Sequence, residues 1–301
     1  MKIAFIILAY KNPDQVSSLI QSLTHPDHYF FLHIDAQKNS EPFNEALKRN
    51  KTANIIYLKR INSYWGSYNC VKAIIDGMQK AVQHPAAFDY YIHLSGQDFP
   101  VTSVSQIHQK LLASIPSSFL YHFPLPAPNW QKGGLDRLES CSLFFGGKRI
   151  VLNERSGNPV YKVLFKIWRK FQMNFDKNKS FFGGEFYFIF HKTAVLTFFE
   201  NLHNNRSLAN RLKYTLIPEE IFIPTILLQD TGSLVIRNET LRYIRWESTG
   251  RSPADLTEKD FSEIVEGDFL FARKFDFEKD PELENLLTNL IRQKSTVNEN
   301  S

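Results

Sequence analysis

The chain has 301 residues, of which 43% are apolar, so it can bury a sizeable core and is not expected to be disordered. Its net charge of +5 suits an anionic ligand or an anionic membrane surface, but without a long Lys/Arg tract or a known motif we expect no nucleic-acid partner. Two cysteines, Cys70 and Cys141, are too few for a secreted disulfide framework, and no apolar run is long enough for a membrane span, so we expect a cytoplasmic protein.

The first half of the chain alternates short apolar runs with helical patterns. These predict strands at 3–9, 29–35, 54–58 and 90–94, and helices at 13–23, 67–82 and 104–115. Asn12, followed by a proline, is expected to cap the first helix. Strands that alternate with helices form a largely parallel sheet, whose ligands bind beyond the carboxyl ends of the strands. Asp35 and Asp98 fall at those ends.

The second half has a less regular pattern. Gly183-Gly184 precedes a strand predicted at 185–191, a helix is predicted from Thr193, and Pro218 opens another helix. A last helix is predicted at 283–291, and the polar tail from Gln293 is expected to be frayed. Without an internal repeat or a low-complexity linker, the chain is predicted to form one domain over 1–301, with halves at about 1–124 and 125–292 and a tail at 293–301.

Two acidic side chains at strand ends are candidates for ligand contacts. Asp35 can accept hydrogen bonds from a base or a ribose. Asp98 stands where many nucleotide-sugar enzymes place a metal-binding carboxylate, but Gly96 occupies the place where an Asp-x-Asp pair needs its first acid. One carboxylate is a poor magnesium site, so no divalent metal is expected. For each acid the alternative is an ordinary turn at the end of a strand.

Glu219 and Glu220 follow Pro218 in a predicted first helical turn. Acids at this place stabilise the positive end of the helix dipole, which is the alternative to a catalytic role. Pro224 has no N–H with which to bond the carbonyl of Glu220. We therefore expect the helix to be distorted beside Glu220.

Two basic segments remain. Arg273 and Lys274 stand between aromatic residues and form either a clamp for a diphosphate or a solvated pair at a sheet edge. The segment 161–182 mixes lysines and arginines with Trp168 and several phenylalanines. It predicts either peripheral contact with the inner face of an anionic membrane or a basic surface helix packed through its aromatic side chains.

Seven short motifs occur in order between residues 3 and 276. They are the opening strand, His33-Ile34-Asp35, Trp65-Gly66-Ser67, Leu94 to Pro100, Gly183-Gly184-Glu185-Phe186-Tyr187-Phe188, Pro218-Glu219-Glu220 with Thr225, and Phe271 to Asp276. Each is unspecific alone. In this order they resemble the core-2/I-branching β-1,6-N-acetylglucosaminyltransferase family and its peptide O-xylosyltransferase relatives.

The resemblance implies an α/β fold of the GT-A type, which is a Rossmann-like nucleotide-sugar fold with a mostly parallel central sheet. It implies an inverting, metal-independent glycosyltransferase that uses a UDP-sugar and a glycan or glycolipid acceptor, with no further cofactor. The first half would bind the nucleotide sugar, and the second half would bind the acceptor and carry catalysis. N-acetylglucosamine is the expected donor sugar. A xylosyltransferase and a non-catalytic carbohydrate-binding protein of the same fold are the alternatives.

The resemblance also assigns residues to the donor. Asp35 would contact the nucleoside, and Asp98 would lie near the donor sugar. Arg273 and Lys274 would lie near the diphosphate, and the resemblance leaves open which of them makes the main contact.

Three further residues receive roles from the resemblance. Glu220, the second acid after the proline, would be the general base. Glu185 and Trp246 would bind the acceptor.

Overall fold

One large β-sheet organises the protein, whose computed structural model describes residues 1–172, 179–247 and 252–299. The strands in these ranges are β1 (Ile3–Ala9), β2 (His28–Ile34), β3 (Asn54–Tyr57), β4 (Tyr90–Ser95), β5 (Asp98–Pro100), β6 (Ser118–Pro124), β7 (Cys141–Phe145), β8 (Lys148–Leu152), β9 (Phe182–His191), β10 (Ile236–Arg237), β11 (Arg242–Ile244) and β12 (Phe271–Arg273). Seven of them form the central sheet in the order β10-β6-β9-β4-β1-β2-β3. Strands β1 to β4 run parallel, and β9 runs antiparallel to both β4 and β6.

Helices cover the sheet and connect its strands. They are α1 (Pro13–Ser22), α2 (Glu41–Leu47), α3 (Tyr68–Val82), α4 (Val104–Ser114), α5 (Leu135–Glu139), α6 (Pro159–Gln172), α7 (Lys192–Asn204), α8 (Arg206–Leu212), α9 (Phe222–Leu227), α10 (Phe261–Glu266) and α11 (Pro281–Glu299). Short 3-10 turns lie at Gln131–Gly134, Pro218–Glu220 and Glu258–Asp260.

The core consists of two apolar layers, one on each face of the sheet. Successive residues of a strand point to opposite faces. Phe5 therefore packs in one layer with Leu19 of α1 and Leu111 of α4, whereas Ile6 packs in the other with Phe198 of α7. β1 is buried on both sides, which explains its continuous apolar sequence.

The strand–helix alternation predicted for the first half is confirmed. β1 has the predicted bounds, and β2 begins and ends one residue before the predicted strand. The helix predicted at 67–82 begins one residue late, at Tyr68. The predicted α/β class with a mostly parallel central sheet is confirmed as well.

Two local predictions need correction. Asn12 occupies the N-cap position of α1 before Pro13, as predicted, but its side chain does not cap the helix. Its backbone is left-handed (φ 51°), and its side chain donates to Asp276 Oδ1 at 2.8 Å instead. Gly183 and Gly184 lie inside β9 rather than before it. A Cβ at Gly184 would stand 2.2 Å from the carbonyl oxygen of Tyr121, so glycine lets β9 approach β6 closely.

Several elements, most of them in the second half, had no predicted counterpart. They are β6 and β10 of the central sheet, the β7–β8 hairpin, and a three-stranded sheet in the order β11-β12-β5. α11 also extends to Glu299, so the tail from Gln293 is helical over that stretch rather than frayed. Within the described ranges, no helix combines the length and the apolar character that crossing a membrane requires.

Candidate functional site

The site lies at the carboxyl ends of β1, β2 and β4. β1 stands between the other two, since Leu8 pairs with His33 of β2 on one side and with Ser95 of β4 on the other. Neighbouring strands are about 4.8 Å apart, so the residues that follow β2 and β4 emerge about 10 Å from each other. Asp35 and Asp98 therefore lie at the same edge of the sheet.

Asp98 is fully buried and faces two arginines. It opens β5, which pairs with β12 so that Asp98 stands directly opposite Arg273. Its Oδ1 lies 2.8 Å from Nε of Arg242 on β11 and 3.8 Å from Nε of Arg273. Its Oδ2 accepts hydrogen bonds from the backbone N–H and the hydroxyl of Ser95, at 2.7 and 2.5 Å. One carboxylate thus faces two guanidinium groups.

The arginine cluster retains unused donors. The Nε–H groups of Arg242 and Arg273 lie close to Asp98 Oδ1 but do not point at it, and none of these three atoms has a hydrogen bond within the described residues. The two guanidinium carbons lie 4.4 and 4.2 Å from the ring centroid of Tyr187, which holds both cations by cation–π contact. A buried cluster with surplus positive charge and unsatisfied N–H groups suits an anionic ligand.

Asp35 is also buried, but donors from its own surroundings occupy its carboxylate. Oδ1 accepts the backbone N–H of Gln37 at 2.8 Å, and Oδ2 accepts that of Ser63 at 3.3 Å. Arg60 donates to the carbonyl oxygens of Ile34 and Asp35, at 3.2 and 3.0 Å, and braces the end of β2. These hydrogen bonds explain the position of Asp35 as part of the turn that follows β2. The predicted contact of Asp35 with a nucleoside stays a prediction.

Glu220 ends a 3-10 turn, and its side chain is 34% exposed. α9 begins two residues later, and Ile221 between the two elements has φ −124°, so the predicted distortion of the helix is confirmed. Pro224 cannot donate to the carbonyl of Glu220, whereas the next residue, Thr225, donates to the carbonyl of Ile221 at 3.0 Å. The Glu220 carboxylate forms an ion pair with Arg137.

Glu219 has the opposite environment. It is 6% exposed, and its Oε1 accepts the backbone N–H of Gly66 at 2.6 Å. Burial raises the pKa of Glu219 to about 7, hydrogen bonds such as that from Gly66 oppose the rise, and the charge of Glu220 adds to it. Gly66 has a φ of 74°, a left-handed conformation that glycine adopts without strain. Glu219 thus fixes the turn at Gly66, whereas Glu220 is open to a ligand.

Glu185 on β9 lies between the acidic and the basic parts of the site. Burial raises its pKa, the charges of Arg242 and Arg273 lower it, and the charge of Glu220 raises it. Glu185 is therefore within electrostatic reach of both the arginine cluster and Glu220. Glu185 and Tyr187 both lie in the part of β9 between Gly184 and Phe188, where its pairing with β6 is irregular. The sheet therefore brings these predicted site residues together.

Lys274 and Trp246 lie beside the arginine cluster and have other surroundings. Nζ of Lys274 lies 3.3 Å from Oδ1 of Asp255, so the two adjacent cations of the predicted clamp have different partners. Trp246 stands two residues beyond Ile244, which pairs with Arg273 across the small sheet. Its side chain is 49% exposed, and an exposed ring is available to stack on a sugar. Its role with an acceptor stays a prediction.

Three residues of the site had no predicted role, namely Arg242, Tyr187 and Arg137. β11 is only three residues long, too short to show a periodic pattern. Arg242 nonetheless stands among apolar and aromatic residues in the sequence. A cation in such surroundings indicates a buried charge, which needs a partner elsewhere in the chain. Arg137, whose guanidinium lies 3.8 Å from the ring centroid of Trp130, has no comparable signal in its sequence neighbourhood.

Gly96 explains why Asp98 has no acidic neighbour two residues before it. A Cβ at Gly96 would stand 2.8 Å from Cγ2 of Val16 on α1 and 3.7 Å from Ala9. An aspartate at this position would therefore require the side chain of Val16, or α1 itself, to shift. The glycine serves close packing of helix and strand.

The fold and the site together define an α/β protein with a large, mostly parallel central sheet and a basic candidate site at the carboxyl ends of its strands. The chain belongs to the Core-2/I-Branching enzyme family, whose family model matches residues 3–269. This match confirms the resemblance that the order of the motifs predicted.

Curated relatives of the chain are xylosyltransferases at low identity. Xylosyltransferase 2 of Canis lupus familiaris is 21% identical over 300 residues, which cover 92% of this chain and 32% of the relative. Xylosyltransferase 1 of Homo sapiens is 22% identical over 302 residues, covering 92% of this chain and 29% of the relative. The chain thus spans about a third of the length of the curated relatives it matches.

Solved structures similar to this chain are more distant. The 4-diphosphocytidyl-2C-methyl-D-erythritol synthase of Anaerococcus prevotii is 12% identical, with a TM-score of 0.40 and coverage of 88% of this chain and 94% of that chain. TarS of S. aureus is 14% identical, with a TM-score of 0.31 and coverage of 44% of this chain and 23% of that chain.

Proposed function

We propose that the protein is an inverting glycosyltransferase that moves a sugar from a UDP-sugar to a hydroxyl of a glycan or glycolipid without a divalent metal. One observation carries the proposal: β9 joins the two parts of the site. Phe182 exchanges hydrogen bonds of 3.0 Å with Thr225 of α9, just after Glu220, and the ring of Tyr187 contacts both Arg242 and Arg273. A partly exposed carboxylate and a pair of largely buried arginines therefore flank the same strand. Sugar transfer requires both groups, because the carboxylate can act as the base and the arginines can stabilise the anionic leaving group.

The mechanism follows from these charges. An acceptor hydroxyl is a poor nucleophile, so Glu220 removes its proton as the oxygen attacks the anomeric carbon. Attack from the side opposite the leaving group inverts the stereocentre. The bond to the diphosphate breaks, and Arg273 and Arg242 stabilise the negative charge that develops there. Arg137 holds the Glu220 carboxylate in place until the acceptor arrives.

The environment of Asp98 supports the metal-free form of this proposal. Arg242 and Arg273 already face its carboxylate, and a divalent cation there would be repelled by both. Gly96 supplies no second acid of the kind that a magnesium site needs, and a side chain there would have to displace Val16. Two fixed cations supply the charge that a metal would otherwise bring to the diphosphate.

The donor sugar is the finer part of the proposal. Family membership supports N-acetylglucosamine, and the curated xylosyltransferase relatives support xylose as the alternative. Saturation-transfer NMR against a panel of nucleotide sugars, with free UDP as the reference, identifies the donor. Slow release of UDP from that donor without an acceptor then separates an enzyme from a carbohydrate-binding protein. Binding with no release, or no binding by any nucleotide sugar, would contradict the proposal.

We also propose that α6 places the protein on an anionic membrane surface. Of the predicted segment 161–182, residues 173–178 lie outside the described residues. α6 packs on the protein through Tyr161, Phe165 and Trp168, one face of the helix. The apolar side chains on its outer side are 46% to 60% exposed; they are Val160, Val163, Leu164 and Ile167.

The spacing and the charge of α6 support this docking mode. The four exposed apolar residues follow the spacing i, i+3, i+4, i+7, so they form one stripe along the helix. Exposed lysines accompany the stripe at Lys162, Lys166 and Lys170. An apolar stripe with flanking lysines suits an interface between anionic headgroups and acyl chains.

A further inference from the structure

Three histidines converge at the amino end of β2, at the opposite end of the strand from Asp35. His25 follows α1, His28 opens β2, and His108 lies on α4. Their ring centroids are 4.9 to 5.0 Å apart. One ring nitrogen from each lies within 4.8 Å of the others. Three separate elements thus bring three nitrogen ligands to one point.

The central imidazole of this cluster is already oriented as a metal ligand. Nδ1 of His28 lies 2.6 Å from the carbonyl oxygen of Leu23, so that nitrogen carries the proton and donates. The lone pair of His28 is therefore on Nε2, which lies 2.7 Å from Nε2 of His108. A backbone carbonyl that fixes the tautomer of a histidine is the usual outer partner of a metal-bound imidazole.

We propose that His25, His28 and His108 bind one Zn²⁺ ion, with water at the fourth position. The ion takes the place of the proton that His108 Nε2 shares with His28, and that proton moves to Nδ1 of His108 by exchange with solvent, so that His108 binds as a neutral imidazole. Nitrogen ligands of a tetrahedral zinc are about 3.3 Å apart, which follows from bonds of about 2.0–2.1 Å. The nitrogens found here, which all lie within 4.8 Å of one another, would have to move to this spacing when the ion binds.

Asp27 stands between His25 and His28 in the chain and brings one negative charge to this end of β2. A carboxylate there opposes part of the charge of a bound cation. The three histidines bind a metal in their neutral form.

His25 is expected to be the weakest ligand. Its Nδ1 accepts the backbone N–H of Asp27 at 3.1 Å. A neutral imidazole has only one lone pair, so binding a metal through Nε2 requires His25 to give up this hydrogen bond. Loss of His25 should therefore weaken zinc binding less than loss of His28.

The ion would be structural rather than catalytic. β2 has seven residues, so the cluster is about 20 Å from the carboxyl ends of the strands. A ligand that binds only the folded state stabilises it by mass action. Zinc would join the segment after α1, the start of β2 and α4. Sugar transfer should not depend on it.

The test uses full-length protein without a histidine tag, stripped with EDTA and dialysed. Equilibrium dialysis with Zn²⁺ should give one ion per chain, and the melting temperature should rise with added Zn²⁺. His28→Asn and His108→Gln should each weaken binding about 100-fold or more, since even the loss of an outer partner costs about 10- to 100-fold. Co²⁺ in place of zinc should give the visible absorption of a tetrahedral site.

His84 provides the matched control. Its Nδ1 also accepts a backbone N–H two residues on, from Ala86 at 3.1 Å, but its ring packs against Tyr29 and Phe88, which offer no nitrogen. His84→Gln should bind zinc as the wild type does. His108 is half-buried on α4, so its variant is expected to fold even if the His28 variant does not. Absence of stoichiometric binding by the wild type, or equal binding by the His108 and His84 variants, would overturn the proposal.

Discussion

Arg273 lies directly across the β5–β12 pair from Asp98, and Arg242 reaches the same carboxylate from β11. The three-stranded sheet therefore places two arginines beside the carboxyl ends of the central strands. Lys274, although adjacent in sequence to Arg273, faces Asp255 instead. The two cations of the Phe271 to Asp276 motif thus have different partners: Arg273 faces the buried Asp98, and Lys274 faces Asp255.

The first prediction concerns the different contributions of Arg273 and Lys274 to donor binding. Arg273→Ala should weaken binding of the UDP-sugar by about 10- to 100-fold, since a charge-assisted contact contributes about 1.5–3 kcal/mol. Lys274→Ala, the matched control, should have a smaller effect. Arg273→Lys should restore only part of the affinity, because a lysine lacks the planar fork that grips two phosphate oxygens. Titration calorimetry with the donor measures all three. A larger loss in the Lys274 variant would make Lys274 the main contact.

The second prediction concerns the adjacent acids. Glu220→Gln keeps the size of the side chain and removes its basicity, so turnover should fall by roughly 10²–10⁴-fold with donor affinity nearly unchanged. Glu219→Gln should matter less, because Glu219 is buried against the backbone of Gly66. Initial rates at saturating donor check both variants. If the two effects are reversed, Glu219 is the base.

The contrast between these acids shows what the sequence can and cannot predict. The break beside Glu220 follows from a local rule about Pro224, and it is confirmed. The burial of Glu219 depends on Gly66, which lies far away along the chain, and no local pattern contains that contact. In the same way, Asp98 is visible at a strand end, but its partner Arg242 depends on the register of two three-residue strands.

The same limit applies to the fold. Strands β1 to β4 alternate with helices, so their short apolar runs and the helical spacing between them predict these elements from the sequence. β6 was missed, and β9 was predicted too short, because their antiparallel pairing includes a bulge and a glycine that only the neighbouring strand explains. Local chemistry therefore predicts the elements, and contacts across the sheet decide their bounds.

The third prediction concerns stability and pH. The pKa of Glu219 is raised from 4.5 to about 7, so the folded state binds more protons than the unfolded state between these values. The contribution of Glu219 to stability must therefore fall as the pH rises from about 4.5 to about 7. Glu219→Gln keeps an acceptor for Gly66 and removes this dependence.

Urea denaturation of both proteins checks the sign. At about pH 4 the two free energies of unfolding should be similar, and at about pH 8 the variant should be more stable by on the order of 2–3 kcal/mol. Comparing the two proteins cancels the titration of other groups. A constant difference between them at all pH values would show that folding does not shift the pKa of Glu219.

The fourth prediction concerns α6. The wild type should co-sediment with anionic vesicles at low salt, less so at high salt, and not with neutral vesicles. Lys162→Glu with Lys166→Glu should abolish this binding. Lys51→Glu with Lys259→Glu changes the net charge equally at exposed sites on other elements, and it should bind nearly as well as the wild type. No sedimentation of the wild type at low salt would leave α6 as a basic surface helix.

The last prediction is that transfer needs no divalent metal. A diphosphate leaving group carries about two negative charges near neutral pH, and Arg242 and Arg273 oppose them with two fixed positive charges of their own. Magnesium needs several oxygen ligands, and Asp98 offers a carboxylate that two guanidinium groups already face. Initial rates should therefore be unchanged by excess EDTA and by manganese restored after it.

The histidine cluster makes this experiment more informative, because it separates two consequences of chelation. If zinc binds His28 and His108, EDTA should lower the melting temperature of the wild type while the rate measured well below that temperature stays constant. Glu220→Gln provides the opposite case, with a normal melting temperature and a low rate. A rate that EDTA abolishes and manganese restores, with the melting temperature unaffected, would instead place a metal at the diphosphate and return Asp98 to the role of its ligand.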